Sequence, residues 1–218
     1  MGRMIELGKQ DTYYFEGIDD ILIAMMDTPD SVGTAPTYSE VVRLAIATKI
    51  GVKGNGTTLE KWASSKMFRR VSRETKHEIA LDHVGIPIAV MDEIKGLIAK
   101  SGVTFSKNTA RQFPYLAFGF IGNIENGGKK AVWYPNTQLS NVVDEEYATA
   151  EDETKIDDVT ANFVSTGLKY NNVMYASFDS NREDASLELF EKFIKQPVYD
   201  EEQWETLSKA TEGIGGGE

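Results

Sequence analysis

Hydrophobic and polar residues alternate with a period of two in several stretches, and one of these predicts a β-hairpin at residues 114–136. Bulky side chains share one parity of its first strand, so we expect one buried face. The bulky residues are Leu116, Phe118 and Phe120. Asn126-Gly127 is a typical tight-turn pair, and residues 129–134 return as a second strand. Pro135 is expected to end that strand, because proline has no N–H to donate to a central ladder.

Residues 42–52 alternate as regularly and predict a strand with one core face and one small or cationic face. The core-facing residues are Val42, Leu44, Ile46, Thr48, Ile50 and Val52. Glycine and asparagine at 54–56 predict a turn, after which residues 57–63 return as a strand. Residues 64–74 show no period and are expected to form a long loop before an alternating strand at 75–82.

Shorter β-like runs complete the strand pattern. We expect further strands at 11–16, 20–26, 138–143, 159–168 and 173–178. Two more long loops are predicted, at 27–38 from its proline, glycine and serine content and at 144–158 from its charge.

Two stretches carry apolar residues at helical spacing instead. They predict a helix at 86–100, with Pro87 in its first turn, and a short amphipathic helix at 185–195. The apolar stripes are Val90, Ile94, Leu97 and Ile98 in the first, and Leu187, Phe190 and Ile194 in the second. We expect the first stripe to lie against a sheet.

The order of elements is many strands, a helix, more strands and a late helix, without βαβ alternation. That order predicts a mainly β fold, an antiparallel sandwich or barrel with one packed helix. The 218 residues fit one domain, which we place at 1–205, and the glycine-rich end predicts a flexible tail at 206–218.

Composition excludes several functional classes. No apolar run is long enough to cross a bilayer and the first residues lack a signal-peptide core, so neither membrane insertion nor export is expected. The chain has no cysteine and a formal net charge of −11. Thiolate metal sites are therefore excluded, and a protein that grips the phosphates of nucleic acid is not expected.

Candidate catalytic residues are sparse. His77 and His83 are the only histidines and have no ligand-spaced partner, and no nucleophile, phosphate-loop or dinucleotide motif occurs. Asp19-Asp20 and Asp157-Asp158 have the composition of a glycosidase carboxylate pair, but charged loop ends explain them better. The sequence predicts a protein that is not an enzyme and that holds no metal or cofactor.

Charged segments supply the candidates for interaction. The acidic run at 144–158 is interpreted either as a solvated loop or as a surface that faces DNA or pairs with a basic patch on another copy. The candidates for that patch are Arg69, Arg70 and Arg73, which are otherwise expected to be ordinary surface residues. Tyr13 and Tyr14 are expected either in the core or as an anchor for an arm on a neighbouring subunit. The interface candidates are Tyr13, Tyr14, Arg69, Arg70, Arg73, Asp144, Glu145, Glu146, Glu151 and Asp152.

Several pieces of the sequence occur together in one known family. They are DTYY at 11–14, the strand at 46–52, the passage at 79–100 with its Gly-Ile-Pro, the segment P-Y-x-A-x-G-F followed by N-G-x-K-x-x-V-W-Y at 114–134, and the acidic run followed by 159–168. With these motifs, residues 8–182 resemble the major tail tube protein of long-tailed, non-contractile bacteriophages. One departure is Ser64, which follows Trp62-Ala63 where the family usually has an aspartate.

The resemblance implies a β-sandwich subunit with a flanking helix. In that family six copies close into a ring, and rings stack into a hollow tube around a tape-measure protein. The tube, bounded by distal tail and tail-terminator proteins, conducts double-stranded DNA during ejection. The expected location is the virion, with assembly in the host cytoplasm. An acidic bore repels the phosphate backbone; the candidates for lining it are Glu78, Asp82, Asp157 and Asp158.

Two alternatives stay open at this point. One is a ring-forming tube protein of a contractile injection or secretion apparatus, which shares the fold but has no DNA cargo. The other is a monomeric β-sandwich binding module.

Overall fold

The computed structural model describes residues 14–63, 66–106, 112–140 and 158–210, which form a large antiparallel sheet with three short helices. The strands are β1 (Phe15–Thr28), β2 (Thr37–Tyr38), β3 (Val42–Leu44), β4 (Ala47–Ala63), β5 (Lys66–His83), β6 (Leu116–Ile124), β7 (Gly128–Leu139), β8 (Val159–Ser165) and β9 (Ala176–Asp179). The helices are α1 (Ile88–Lys95), α2 (Leu187–Lys195) and α3 (Glu201–Lys209). The predicted mainly β, antiparallel class is confirmed.

The sheet follows the order β2-β1-β6-β7-β8-β5-β4, with β3 also on β1 and β9 also on β7. Only Ala45-Ile46 separates β3, on the β1 side of the sheet, from β4 at its far end. The sheet therefore curls until its two ends are joined by two residues, as in a barrel. The connection at Ala45-Ile46 also divides the single strand that was predicted at 42–52, because β3 pairs with β1 while β4 pairs with β5.

Hydrophobic side chains pack on both sides of the central strands. The inner cluster is built from Ile21, Ile23, Ile79, Leu81, Ile94, Leu116, Phe118, Val132, Tyr134, Ala161 and Phe163. The outer cluster is built from Leu22, Ala24, Ala117, Ile121, Ala131, Trp133, Phe178, Phe190, Phe193, Ile194 and Val198. The prediction of one buried face for β6 was therefore wrong: α2 covers the small-residue face as well, and Trp133 Nε1 donates to Phe193 O at 2.9 Å.

The central hairpin is confirmed, with a 3₁₀ turn at Glu125–Gly127 joining β6 and β7. Pro135 does not end the second strand. A bulge there shifts the register between the Leu116–Thr137 and Phe118–Tyr134 pairs, and β7 continues to Leu139. The strand predicted at 138–143 is thus the end of β7 as far as the structure describes it. One bulged strand, β1, contains the strand predicted at 20–26 and residues 15–16 of the one predicted at 11–16, whose residues 11–13 lie outside the described part of the chain.

The helices differ from their predicted bounds at the ends. Gly96 adopts a left-handed conformation (φ 57°) that ends α1 five residues early and leaves Leu97 and Ile98 outside it. Pro87 is the residue before the helix, not within its first turn. α2 begins two residues later than predicted and ends at Lys195 as predicted. Phe190 and Ile194 are buried as expected, but Leu187 is exposed.

The third helix was missed. Asp200 caps α3 by accepting from the backbone N–H of Glu202 and Gln203, and the helix runs to Lys209, into the segment predicted to be a tail from 206. Residues 211–218 lie outside the described part of the chain.

The largest correction concerns residues 54–74. The predicted turn at 54–56 is continuous strand within β4, which runs to Ala63, and the bulge opposite it places the extra residue, Thr75, in β5. The predicted loop at 64–74 is the first half of β5 from Lys66 onward. A Cβ at Gly56 would lie 3.0 Å from Arg73 O, so glycine at this position lets the backbones of β4 and β5 approach closely beside the bulge. The result is one hairpin of 17- and 18-residue strands. The loop at 27–38 agrees with the prediction except for the short β2 at its end.

Close packing in the central hairpin predicts the cost of one added methyl group. A Cβ at Gly119 would lie 2.7 Å from Trp133 Cε3 and 2.9 Å from Val132 O, whereas a Cβ at Gly51 meets nothing nearer than Ala80 Cβ at 4.0 Å. We expect Gly119→Ala to lower the free energy of unfolding by about 1–3 kcal/mol through overpacking. Gly51→Ala is the matched control and should change it by under about 0.5 kcal/mol. Equal urea midpoints for the two variants would contradict this account.

Candidate functional site

The long β4–β5 hairpin extends beyond the rest of the sheet. β8 pairs with β5 only from His77 to His83, and residues 54–63 and 66–76 pair only with each other among the described residues. We call these two segments the arm. They form a two-stranded ribbon whose side chains are almost all exposed where described.

Cross-strand register assigns the arm a cationic face. Directly opposed pairs there are Thr57–Arg73, Leu59–Val71 and Lys61–Arg69. Opposed residues point to the same side of a sheet, so an apolar pair lies between two cationic ends. Leu59 is 72% and Val71 42% exposed. Arg69 and Arg73 make no ion pair with any described residue.

The opposite face of the arm is polar and has balanced charge. The Thr58 and Ser72 hydroxyls are 3.3 Å apart, and Arg70 Nε lies 3.6 Å from Glu60 Oε1. The three arginines expected to form one patch are therefore split. Arg69 and Arg73 share the cationic face, and Arg70 is on the other side with a partner of its own.

A buried histidine marks the point where the arm leaves the sheet. His77 packs its ring against Tyr134 and Tyr175, with ring centroids 5.8 Å apart in each case. Its Nε2 lies 3.4 Å from a Glu74 carboxylate oxygen, and a Cβ at Gly54 would lie 3.4 Å from the same atom. The glycine thus leaves room for the imidazole. Burial raises the pKa of the Tyr134 hydroxyl to about 12, so that phenol stays uncharged at neutral pH.

Two acids proposed for the bore share a sheet face with lysines. Lys53 is opposite Glu78, and Lys49 is opposite Asp82. Hydrogen bonding from Lys76 Nζ, at 2.7 Å, is the largest of the causes that hold the pKa of Glu78 below its ordinary value. This face of β4 and β5 is consequently balanced in charge and not strongly negative.

Two aspartates near this face accept hydrogen bonds from threonines. Asp82 accepts from the Thr160 hydroxyl at 2.6 Å, and Asp158 accepts from the Thr48 hydroxyl at 2.8 Å. The structure therefore brings Glu78, Asp82 and Asp158 to one region. Of the other candidates, Tyr14 is exposed and immediately precedes β1. The rest lie outside the described residues: Tyr13, Asp144, Glu145, Glu146, Glu151, Asp152 and Asp157.

A second surface was missed from the sequence. A groove of about 660 Å³ lies between β9, α2 and α3, with Phe178, Phe193 and Trp204 as its aromatic floor. We call it the acidic groove. Its rim carries six acids and Arg182; the acids are Asp179, Glu183, Asp184, Asp200, Glu201 and Glu205. The sequence does show two acid-rich segments, at 179–184 and 200–205, on either side of α2. Only the packing of α3 brings them to the same groove.

The carboxylate pair at Asp19-Asp20 has a structural role. Lys129 Nζ lies 2.9 Å from Asp19, and Arg43 Nε lies 2.5 Å from Asp20, so each acid neutralises a different cation. Within the described ranges no three His, Cys, Asp or Glu residues are grouped so that they could hold a metal ion. No helix in that part of the chain is long and apolar enough to cross a membrane.

Comparison with known proteins adds no identification. No family model matches this sequence, and no curated protein is significantly similar to it.

His83 predicts a pH dependence of stability. It is buried and neither ring nitrogen has a hydrogen-bond partner. Burial lowers its pKa below the ordinary 6.5, against the opposing pull of Asp82 and Asp158. The unfolded chain therefore takes up this proton first as pH falls, and stability declines below about pH 6.5.

Replacing this side chain should remove that contribution. We expect His83→Phe to make the free energy of unfolding fall less between about pH 7 and pH 5 than it does in the wild type. Urea titrations of both proteins at several pH values measure the difference. Parallel pH curves would show that His83 does not titrate in this range.

Proposed function

We propose that this chain is a structural subunit that polymerises through its arm, and that the polymer is the tail tube of a long-tailed bacteriophage. The arm is the observation that carries the first part. An isolated two-stranded ribbon is at best marginally stable in water, and this one leaves an apolar cross-strand pair exposed. A neighbouring copy that covers the ribbon removes this cost.

The polymeric form follows from the kind of contact. An arm that binds a different surface on the next copy makes a heterologous contact, which yields closed rings or open helical filaments. A tube of stacked rings combines both kinds of assembly, because contacts within a ring close and contacts between rings continue along the tube. The number of six copies, the tape-measure core, the distal and terminator partners and the DNA cargo are taken from the resemblance at residues 8–182.

Electrostatics supports a bore that does not hold DNA. The net charge of −11 gives the subunit no overall attraction for phosphates, and charges more than about 8 Å apart are largely screened at physiological salt. If the β4–β5 face lines the bore, Lys49 and Lys53 neutralise Glu78 and Asp82. DNA would then slide past a wall of balanced charge, and the excess negative charge would lie elsewhere on the subunit.

Electron microscopy tests the proposal directly. Negative-stain images of the purified chain at high concentration should show rings or tubes, because the exposed arm favours association. Sedimentation over a range of concentrations gives the populations. A strictly monomeric species throughout that range would contradict self-assembly.

Removing the arm tests which element drives assembly. Asn55 and Lys76 are opposed across the strands, so an Asn-Gly turn can join them in place of residues 56–75. We expect a folded monomer, because β8 still pairs with β5 from His77 onward. Circular dichroism checks the fold and sedimentation checks the mass.

A matched pair of variants separates the two faces of the arm. Leu59→Ser with Val71→Ser should raise the concentration needed for assembly at least roughly tenfold, through lost apolar burial. Thr58→Ala with Ser72→Ala, on the opposite face, should leave it nearly unchanged. If the variant that lacks residues 56–75 assembled at the same protein concentration as the wild type, the arm would not be the element that drives assembly.

A further inference from the structure

We propose that the cationic face of the arm of one copy binds in the acidic groove of a second copy. This inference rests on the proposed function, since it names the two surfaces by which identical copies join. The sequence expectation had instead paired the arginines with the acidic run at 144–158.

The two surfaces have the same layout with opposite charge. On the arm, Leu59 and Val71 lie between Lys61 and Arg69 at one end and Arg73 at the other. In the groove, an aromatic floor lies beneath a rim on which acids outnumber the single arginine. Apolar side chains over aromatic rings and cations over carboxylates would satisfy both surfaces at once.

The floor of the groove is a preformed aromatic cluster. Trp204 packs edge-on against Phe193 and Phe178, with ring centroids 5.7 and 6.2 Å apart. Phe178 and Phe193 are buried in the outer cluster beneath it, so the floor is fixed by the core. A volume of about 660 Å³ accommodates several side chains of a docked strand.

Part of the acidic rim is free to bind a partner. Asp200 is occupied as the cap of α3 and by Asn171, and Glu205 Oε2 lies 3.1 Å from Lys209 Nζ. Glu183, Asp184 and Glu201 are exposed and form no ion pair within the described part of the chain. These three acids at the groove are thus available to pair with the three cations on the arm.

The contact has to be made between copies. Within one chain Leu59 stays 72% exposed although the groove is present, so the arm does not fold back onto it. Tyr175, which lines the groove, contacts His77 at the root of the arm, and the continued pairing of β4 with β5 carries the arm away from that point. An arm-to-groove contact is heterologous, so each bound copy presents a new arm and a new groove.

Charge exchange between the two surfaces is the test. The arm variant carries Arg69→Glu and Arg73→Glu, and the groove variant carries Glu183→Lys and Asp184→Lys. Each alone should need at least roughly tenfold more protein to assemble, because like charges then meet across the contact. Circular dichroism and urea unfolding confirm that both remain folded.

Mixing the two variants should restore assembly. Each reversed arm meets a reversed groove, and each unchanged arm meets an unchanged groove, so the copies alternate. The control variant carries Asp27→Lys and Glu40→Lys, two exposed acids outside the groove with the same change in net charge. It should assemble as the wild type does.

Cross-linking gives a second measurement that does not depend on charge. The chain has no cysteine, so Leu59→Cys in one copy and Ala185→Cys in another provide two defined thiols. A short bis-maleimide should join them in the mixture, and neither variant alone should give this arm-to-groove product.

The outcomes separate this inference from the proposed function. Wild-type assembly by the groove variant, no recovery on mixing, or no cross-link within assembled protein overturns the arm-to-groove contact and leaves self-assembly standing. Absence of any association in the wild type and in all variants overturns both.

Discussion

The hydrogen-bonded ladder between β4 and β5 is the constraint on which the rest of the molecule depends. It pairs the facing backbone groups of the two strands from Ala47–His83 to Ala63–Lys66, and three bulges shift its register without ending it. Side-chain packing stops much earlier, where β8 ends opposite His77. Backbone hydrogen bonds between its two strands therefore order the arm, but almost all of its described side chains stay exposed. This is the condition for an element whose packing partner lies on another molecule.

The doubly buried centre of the sheet makes that arrangement possible. β6 and β7 pack against the inner cluster on one side and against α2 on the other, and Trp133 joins the outer layer to the sheet. A core of this kind can hold the base of a projecting ribbon in one orientation. His77, placed between Tyr134 and Tyr175, fixes the point at which the ribbon begins.

Charge is distributed unevenly over the subunit. The cationic face of the arm and the acidic groove have opposite signs, while Lys49 and Lys53 compensate Glu78 and Asp82 on the adjoining sheet face. Surfaces of opposite sign increase the rate of association and fix its register, and they disfavour contacts between like surfaces. A balanced face contributes little to either effect, so the net charge of −11 understates how strongly the surfaces differ.

The sequence by itself determined the mainly β class, the central hairpin and α2, because alternation, the Asn126-Gly127 turn and helical spacing are local properties. It misread residues 54–74, since glycine is typical of a turn but also occurs where two strand backbones approach closely, and only pairing with β5 selects the continuous strand. Cross-strand register separated Arg70 from Arg69 and Arg73. Docking of α3 assembled the acidic groove from segments that are distant in the chain. These features depend on which distant residues become neighbours, and that is decided only when the sheet curls and the helices pack.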